Sequence, residues 1–413
     1  MQIYLVGGAV RDELLGLPIS DRDWVVVGAT PDDLIKLGFI QVGKNFPVFL
    51  HPKTHEAYAL ARTEKKIGKG YTGFSFYTQP NISIEDDLLR RDLSINAIAK
   101  NKNGELIDPY HGEQDIKNRL LRHVSDAFIE DPLRILRVAR FAAKLAKKKF
   151  KIADETKELM QKMVNKNELE TLSAERVWSE TKKALQTSSP DIYFQVLYNC
   201  GALAILFPEI NRLFSITEEK NSSSEINVGI HTLTTLKVTS LLTDNVEIRF
   251  AALCHDFGKT FIQEKQLLHK TFDYGVQGIP LIETMCNRLR IPNKIKKLAK
   301  LVAEFHQHIH HIYQLEPANV INLFDKINSW KKPERVNQLA VICEADSYKE
   351  TEKNNVIYLQ KKFFFEAFQI AKTTSSQKII EKNITGAAFK DKITQQRIKK
   401  LTTWWNKQKI ITH

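Results

Sequence analysis

Short apolar runs recur near the start of the chain, at Ile3-Tyr4-Leu5-Val6, Trp24-Val25-Val26-Val27 and Ala57 to Ala61, with polar turns and helix-like stretches between them. Such runs, bounded by turn residues, predict strands, and their mixture with helical stretches predicts an α/β segment from Met1 to about Asn118. From Pro132 onward the pattern changes. Apolar positions return at helical spacing, as at Ile135, Val138, Ala139 and Ala142, and Pro and Gly become sparse. The strands are therefore expected to stop and the remainder to be almost entirely helical, an α+β chain overall. Ser173-Ala174-Glu175-Arg176 predicts a helix start ahead of Val177-Trp178, and Ser188-Ser189-Pro190 predicts a break. The most polar stretch, Glu218-Glu219-Lys220-Asn221-Ser222-Ser223-Ser224, reads as a domain boundary.

Length and charge narrow the picture. With 413 residues the chain is too long for one ordinary core and is expected to divide into two to four domains. Its formal net charge of +13 favours a polyanionic partner through steering and counterion release. Lys-rich stretches such as Lys144 to Lys151, and the run ending Arg397-Ile398-Lys399-Lys400, read either as RNA tracks or as solvated helix faces. Cys200, Cys254, Cys286 and Cys343 are widely spaced with no C-x-x-C pair, so they are expected to be buried thiols in a reducing cytoplasm rather than zinc ligands or disulfides. No apolar run approaches membrane-spanning length, and the opening strand leaves no expected room for a signal peptide.

Chemistry enters at Gly7-Gly8-Ala9-Val10-Arg11-Asp12, directly after the first apolar run. Glycines there let backbone N–H groups approach an anion, and Arg11 falls in the first turn of the helix that follows. Asp21 and Asp23 are two apart ahead of the next apolar run. On a strand both carboxylates point to one face, close enough to share a hard cation. The order strand, Gly-Gly, helix, Asp-x-Asp, strand predicts a site for nucleotide phosphates and Mg²⁺.

Two further segments extend it: Leu88-Leu89-Arg90-Arg91-Asp92-Leu93-Ser94-Ile95-Asn96-Ala97 and Glu130-Asp131-Pro132-Leu133-Arg134-Ile135-Leu136-Arg137-Val138-Ala139-Arg140-Phe141. Arg134, Arg137 and Arg140 are spaced by three, near one side of a helix, an arrangement that is costly unless an anion is nearby. Glu85-Asp86-Asp87, just ahead of Arg91, offers the blander alternative of a surface salt-bridge network. Asp131 and Arg134 provide an acceptor and a donor fork, the complement of the Watson–Crick edge that cytosine and adenine share. With these motifs the chain resembles the class II tRNA nucleotidyltransferases, the bacterial CCA-adding enzymes, in their longer HD-containing subtype. The likeness takes in Gly43-Lys44-Asn45-Phe46-Pro47-Val48-Phe49-Leu50-His51, Tyr71-Thr72-Gly73-Phe74 and Ile107-Asp108-Pro109-Tyr110, and weakens after about Asp346.

The resemblance implies a polymerase-β-like α/β nucleotidyltransferase head at 1–140, an all-helical neck at 141–217, an HD domain at 225–330 and a helical, tRNA-binding tail at 331–413. It implies catalytic, Mg²⁺-holding Asp21 and Asp23, and CTP- and ATP-binding Gly8, Arg11, Arg91, Asp92, Asn96, Asp131, Arg134, Arg137 and Arg140. Asp131 and Arg134 would then act as a protein template for adding CCA to tRNA. A third metal carboxylate falls to Glu56 or Glu64. The charged, glycine-containing stretch Arg62 to Tyr71 reads as a flexible loop, which related enzymes use to switch from C to A. The expected protein is cytoplasmic, without a membrane partner, as a monomer or a homodimer.

His231, His255 and Asp256 resemble the metal-binding core of HD phosphohydrolases, for a divalent ion such as Ni²⁺, with His306 and Asp346 as further candidate ligands. Two positions depart from that family. Tyr274 in Tyr274-Gly275-Val276-Gln277-Gly278 stands where a histidine is usual, and Gln307 where an acid is common. Phenol and amide are poorer ligands, so the HD fold is expected with little phosphohydrolase activity. His308, His310 and His311 are expected to be exposed at a helix end. The alternatives are a bacterial poly(A) polymerase, against which Asn45 and the HD segment speak, a non-catalytic RNA-binding protein with a decayed transferase fold, against which intact Asp21, Asp23, Arg91, Asp131 and Arg134 speak, and a multifunctional enzyme whose HD domain is a 2′,3′-cyclic phosphodiesterase, 2′-nucleotidase or phosphatase.

Overall fold

The computed structural model describes residues 1–42, 48–66, 74–219, 225–261, 274–348, 357–374 and 386–411. They form two compact units, Met1–Leu206 and Phe207–His413.

The first unit opens with β1 (Gln2–Val6), α1 (Gly8–Leu14), β2 (Asp23–Val27), α2 (Pro31–Lys36), β3 (Ile40–Val42), β4 (Val48–Leu50) and β5 (Ala57–Leu60). After β6 (Thr63–Lys66) and β7 (Phe74–Tyr77) come α3 (Ile84–Leu89), β8 (Ala99–Lys100), β9 (Leu106–Ile107) and α4 (Gly112–Asn118). One seven-stranded sheet runs β3-β4-β5-β2-β1-β8-β9. β1 and β2 pair antiparallel with Val6 opposite Asp23, while β2 and β5 are parallel. The central strands β1 and β2 are apolar because Val6, Val25 and Val26 pack into the layers that α1, α2 and α3 help to cover. At the end of β1 the chain must turn at once into α1, and Gly7 makes that turn at φ 68°; a Cβ there would also lie 2.8 Å from Nη1 of Arg91.

The helical part of this unit holds β10 (Leu120–Leu121), α5 (Leu133–Leu145), β11 (Lys151–Ile152), α6 (Asp154–Asn165), α7 (Ala174–Leu185), α8 (Pro190–Asn199) and α9 (Ala202–Leu206). Ser173 caps α7 by accepting the Arg176 amide at 3.4 Å, and Pro190 opens α8, as the sequence predicts. Strands do not stop after Asn118, however. β10 pairs with β11, and in the second unit β12 (Thr217–Glu219) pairs with β13 (Glu225–Asn227). Pairs of two or three residues are too short to leave a periodicity. The stretch from Arg62, expected as a loop, likewise contains β6 paired to β7; 67–73 lie outside the described residues.

The second unit is helical: α10 (Pro208–Asn211), α11 (Val228–Leu242), α12 (Val246–Cys254), α13 (Tyr274–Gln277), α14 (Ile279–Arg288), α15 (Asn293–His310), α16 (Pro317–Lys326), α17 (Glu334–Asp346), α18 (Leu359–Lys372) and α19 (Gly386–Ile411). All four cysteines are free and buried, as expected. Among the described residues no helix is long and apolar enough to cross a membrane. Gly258, Gly275 and Gly278 explain the short motif around Tyr274. A Cβ on Gly258 would run into the Tyr274 carbonyl, and one on Gly275 into that of Ala303, so the turn after α12, α13 and α15 meet backbone to backbone. Gly258→Ala is expected to destabilise the protein by about 1–3 kcal/mol through overpacking, read as a lower urea midpoint by circular dichroism.

Candidate functional site

A cavity of about 780 Å³ opens in the first unit, and its walls bring together all eleven residues expected at the nucleotide site: Gly8, Arg11, Asp21, Asp23, Arg91, Asp92, Asn96, Asp131, Arg134, Arg137 and Arg140. Ten Arg and Lys residues line it against five Asp, a balance suited to a polyphosphate. Asp23 is the first residue of β2, whereas Asp21 lies just before the strand, where Ser20 donates a 3.1 Å hydrogen bond to it. Partial burial raises the Asp23 carboxyl above its ordinary value; Arg91 opposes this and the neighbouring charge of Asp21 adds to it. Two carboxylates that repel each other on one cavity wall fit a shared hard cation. Glu56 instead accepts the Trp24 indole N–H at 3.0 Å, and the Glu64 side chain lies outside the described residues.

Behind the wall, charges are paired in a chain. Arg11, 3% exposed, donates to Asp12 at 2.9 Å and to Oδ1 of Asn96 at 2.5 Å. Asn96 donates to Asp92 at 3.0 Å, and Arg137 reaches the other Asp92 oxygen at 2.7 Å. Burial alone would raise the Asp92 carboxyl, but Arg137 and the hydrogen bond from Asn96 outweigh it and hold the group well below the carboxylate range. Arg140 meets Glu180 of α7 at 2.5 Å, and the Phe141 ring lies 4.3 Å from Arg140, 4.9 Å from Arg11 and 5.8 Å from Arg137. The anions that α5 requires thus come from the protein itself. Asp87 is no surface residue: it is fully buried and binds Arg90 at 2.5 Å and Arg91 at 3.1 Å.

Three features escaped the sequence reading. Lys144, placed in a stretch read as RNA track or solvated face, pairs with Asp12 at 3.0 Å and lines the cavity. Glu180 is a 3%-exposed acid on a helix whose neighbouring turns carry buried Val177 and Ala184, and that misplacement on an apolar stripe was the available signal. The Arg134 guanidinium is turned to backbone carbonyls. Its Nη1 and Nη2 donate to the carbonyls of Ala127 at 2.9 Å and Arg90 at 2.6 Å, and the guanidinium on Asp131 is that of Arg176, at 2.7 Å.

In the second unit a buried cluster forms around Asp346, the last residue of α17. His231 approaches Asp346 at 2.7 Å and His255 at 3.3 Å, and one ligand atom from each of the three lies within 4.8 Å of the others. Asp256 adds contacts of 3.1 Å to His255 and 3.5 Å to His306, with Lys259 at 2.9 Å. Yet Nε2 of His255 and both oxygens of Asp256 are buried without a well-directed hydrogen bond. Burial would lower the His255 value, but Asp256 and Asp346 push it up to about 10: two buried carboxylates call for a cation between them. That donor set fits a divalent metal. Tyr274 stands 3.4 Å from Nε2 of His306. His310 is no exposed helix-end residue; it binds Asp346 at 2.7 Å and Tyr358 at 2.8 Å, and neither His308 nor His311 is fully exposed.

Residues 3–122 match the Poly A polymerase head domain, 149–214 the family described as "Probable RNA and SrmB- binding site of polymerase A", and 228–349 the HD domain. Among solved structures, a CCA-adding enzyme in complex with ATP is 20% identical with a TM-score of 0.65, covering 97% of this chain and 86% of that one. The complex of a CCA-adding enzyme with CTP is 19% identical, TM-score 0.63, over 97% and 87%. The Thermotoga maritima CCA-adding enzyme complexed with tRNA is 18% identical, TM-score 0.63, again over 97% and 87%. The chain has the fold of these enzymes.

The buried Asp87 generates a pH prediction. Burial raises its carboxyl, but Arg90 and Arg91 more than compensate and leave it below the ordinary 3.8. Its stabilisation is therefore present above that value and lost as pH falls through the lowered native one. Asp87→Asn is expected to cost about 3 kcal/mol at pH 7, and the gap to the parent protein to narrow below about pH 4, in urea titrations at both pH values.

Proposed function

From a chain that carries a poly A polymerase head domain, an RNA-binding segment and an HD domain on the fold of the CCA-adding enzymes, we propose a nucleotidyltransferase that builds and repairs the 3′-terminal CCA of tRNA from CTP and ATP, releasing diphosphate. The observation that carries the reading is one cavity in which two repelling carboxylates face an excess of arginines beside an acceptor, Asp131. Asp21 and Asp23 would hold Mg²⁺, which when bound brings hydroxyl and α-phosphate together and offsets charge on the leaving group. Gly8, Arg11, Arg91 and Arg137 hold the triphosphate and sugar in this reading, with Asp92 and Asn96 fixing the arginines. Asp131 accepts from the exocyclic amine of C or A, and Arg134 and Arg140 complete the wall. Uracil and guanine present a carbonyl there, which a carboxylate repels. The reading keeps the division into head 1–140, neck 141–217, HD 225–330 and tail 331–413, and it places the enzyme in the cytoplasm. The HD segment favours it over a poly(A) polymerase.

The cluster in the second unit supports a divalent metal held by His231, His255, Asp256 and Asp346, with Ni²⁺ among the candidates. Tyr274 adds no useful ligand. Burial, reinforced by Asp256 and Asp346, pushes its phenol far above the usual range, so it stays protonated against His306. The HD domain therefore contributes little phosphoester hydrolysis in this proposal.

The functional reading is tested by single-nucleotide addition to tRNA lacking its CCA end. Asp21→Ala and Asp23→Ala are each expected to lower both C and A addition by at least roughly a hundredfold with the fold retained, and activity within about tenfold of the parent would refute the assignment. His255→Ala is expected to lose metal in an elemental assay of the purified protein while CCA addition stays intact. Robust 2′,3′-cyclic phosphodiesterase activity in the parent, abolished by that substitution, would show a multifunctional enzyme instead.

A further inference from the structure

Arg176 and Glu180 lie four residues apart on α7 and make ion pairs of opposite polarity: Arg176 with Asp131 at 2.7 Å, Glu180 with Arg140 at 2.5 Å. One pair reaches Asp131 just ahead of α5 and the other reaches Arg140 within that helix, and Arg176 itself lines the cavity. At Asp131 the two oxygens are taken differently. Oδ1 accepts the Leu133 amide at 3.1 Å, a bond internal to the start of α5, while Oδ2 accepts from Arg176 at 2.7 Å. Each carboxylate oxygen has room for a second donor. Arg134, the other donor expected beside Asp131, has both terminal nitrogens directed at backbone carbonyls.

We propose that Arg176 is a positioning residue for base selection: by fixing Oδ2 while Leu133 fixes Oδ1, it stops the Asp131 carboxylate from rotating and presents an acceptor edge at one angle to the incoming base. The inference rests on the CCA-adding reading above. A pinned carboxylate rejects the carbonyl of uracil because it cannot turn aside to relieve the repulsion, whereas one held only at Oδ1 can swing away and let a water or a rotated base into the gap. Charge-assisted contacts from a rigid guanidinium impose this kind of geometry, and a lysine in the same place supplies charge from a freely rotating ammonium on a flexible stem. Helix α7 supports the arrangement, since Ser173 caps it at the Arg176 amide and Glu180 ties the same face of the helix to Arg140.

The test measures kcat/KM for CTP and for UTP on tRNA lacking CCA in the parent protein, Arg176→Met, Arg176→Lys, Asp131→Ala and the double variant R176M/D131A, with a thermal melt of each. Arg176→Met is expected to lower the CTP-to-UTP ratio by roughly tenfold, with Arg176→Lys between it and the parent. Because Arg176 acts through Asp131, adding R176M to D131A is expected to change the ratio no further. The proposal is overturned if R176M leaves the ratio within about twofold of the parent, if the lysine variant is no better than the methionine one, or if the two effects multiply in the double variant. Should R176M fail to melt cooperatively, the lysine variant alone decides, since a parental ratio with the rigid guanidinium donor gone contradicts the mechanism. A parent protein that adds neither C nor A would instead remove the functional reading on which the inference stands.

Discussion

The ion pair between Asp92 and Arg137 is the contact on which the cavity of the first unit depends. An arginine-bearing helix cannot be buried unless its charges are answered, and a carboxylate cannot be buried unless a cation meets it. Asp92, 5% exposed, satisfies both demands at once. Through Asn96 it also orients Arg11, whose guanidinium shares the face of Phe141 with Arg137 and Arg140. The head segment and α5 are thereby locked into one wall. Pairing is incomplete by design of the composition: ten basic side chains face five acidic ones, so the cavity retains a positive field that only an anionic ligand neutralises.

Much of this was legible in sequence because the chemistry sits on short, local signals. A glycine turn after an apolar run, two alternating acids and arginines spaced by three are each visible within about ten residues. The positions they named converge on one cavity. What stayed hidden is pairing across long separations. Asp92 and Arg137 are 45 residues apart, Arg140 and Glu180 are 40, and Lys144 and Asp12 are 132. No periodicity encodes which acid answers which base over such distances. Asp87 was read as a possible surface partner because acids next to acids usually face water, and only the burial of α3 under the sheet reverses that expectation.

The second unit shows the same limit from the other side. His231, His255 and Asp256 could be named from residue type and order, and Asp346 as a further candidate, but the part played by His310 could not. A histidine in a run of histidines at the end of a helix has no sequence mark of burial. It acquires one only because α17 delivers Asp346 and the start of α18 delivers Tyr358 to either ring nitrogen. Tyr274 illustrates the converse: as a letter it is a missing ligand, whereas in space it is a neutral plug against His306, placed there by glycines that let α13 touch α15.

The two clusters obey one electrostatic rule with opposite outcomes. Around the first, basic residues outnumber acids and the buried acids are all answered, so the unsatisfied demand is for negative charge. Around the second, Asp256 and Asp346 are answered only by histidines and a single lysine, with buried ligand atoms left without directed hydrogen bonds, so the demand is for a cation. The two carboxylates raise the proton affinity of the His255 imidazole well above its ordinary value for the same reason. A metal meets that demand better than a proton does, because one divalent ion can satisfy both carboxylates and the free imidazole nitrogens together, whereas a proton satisfies one nitrogen at a time. Ligand preference in each unit thus follows from the sign of the charge its own fold leaves uncompensated.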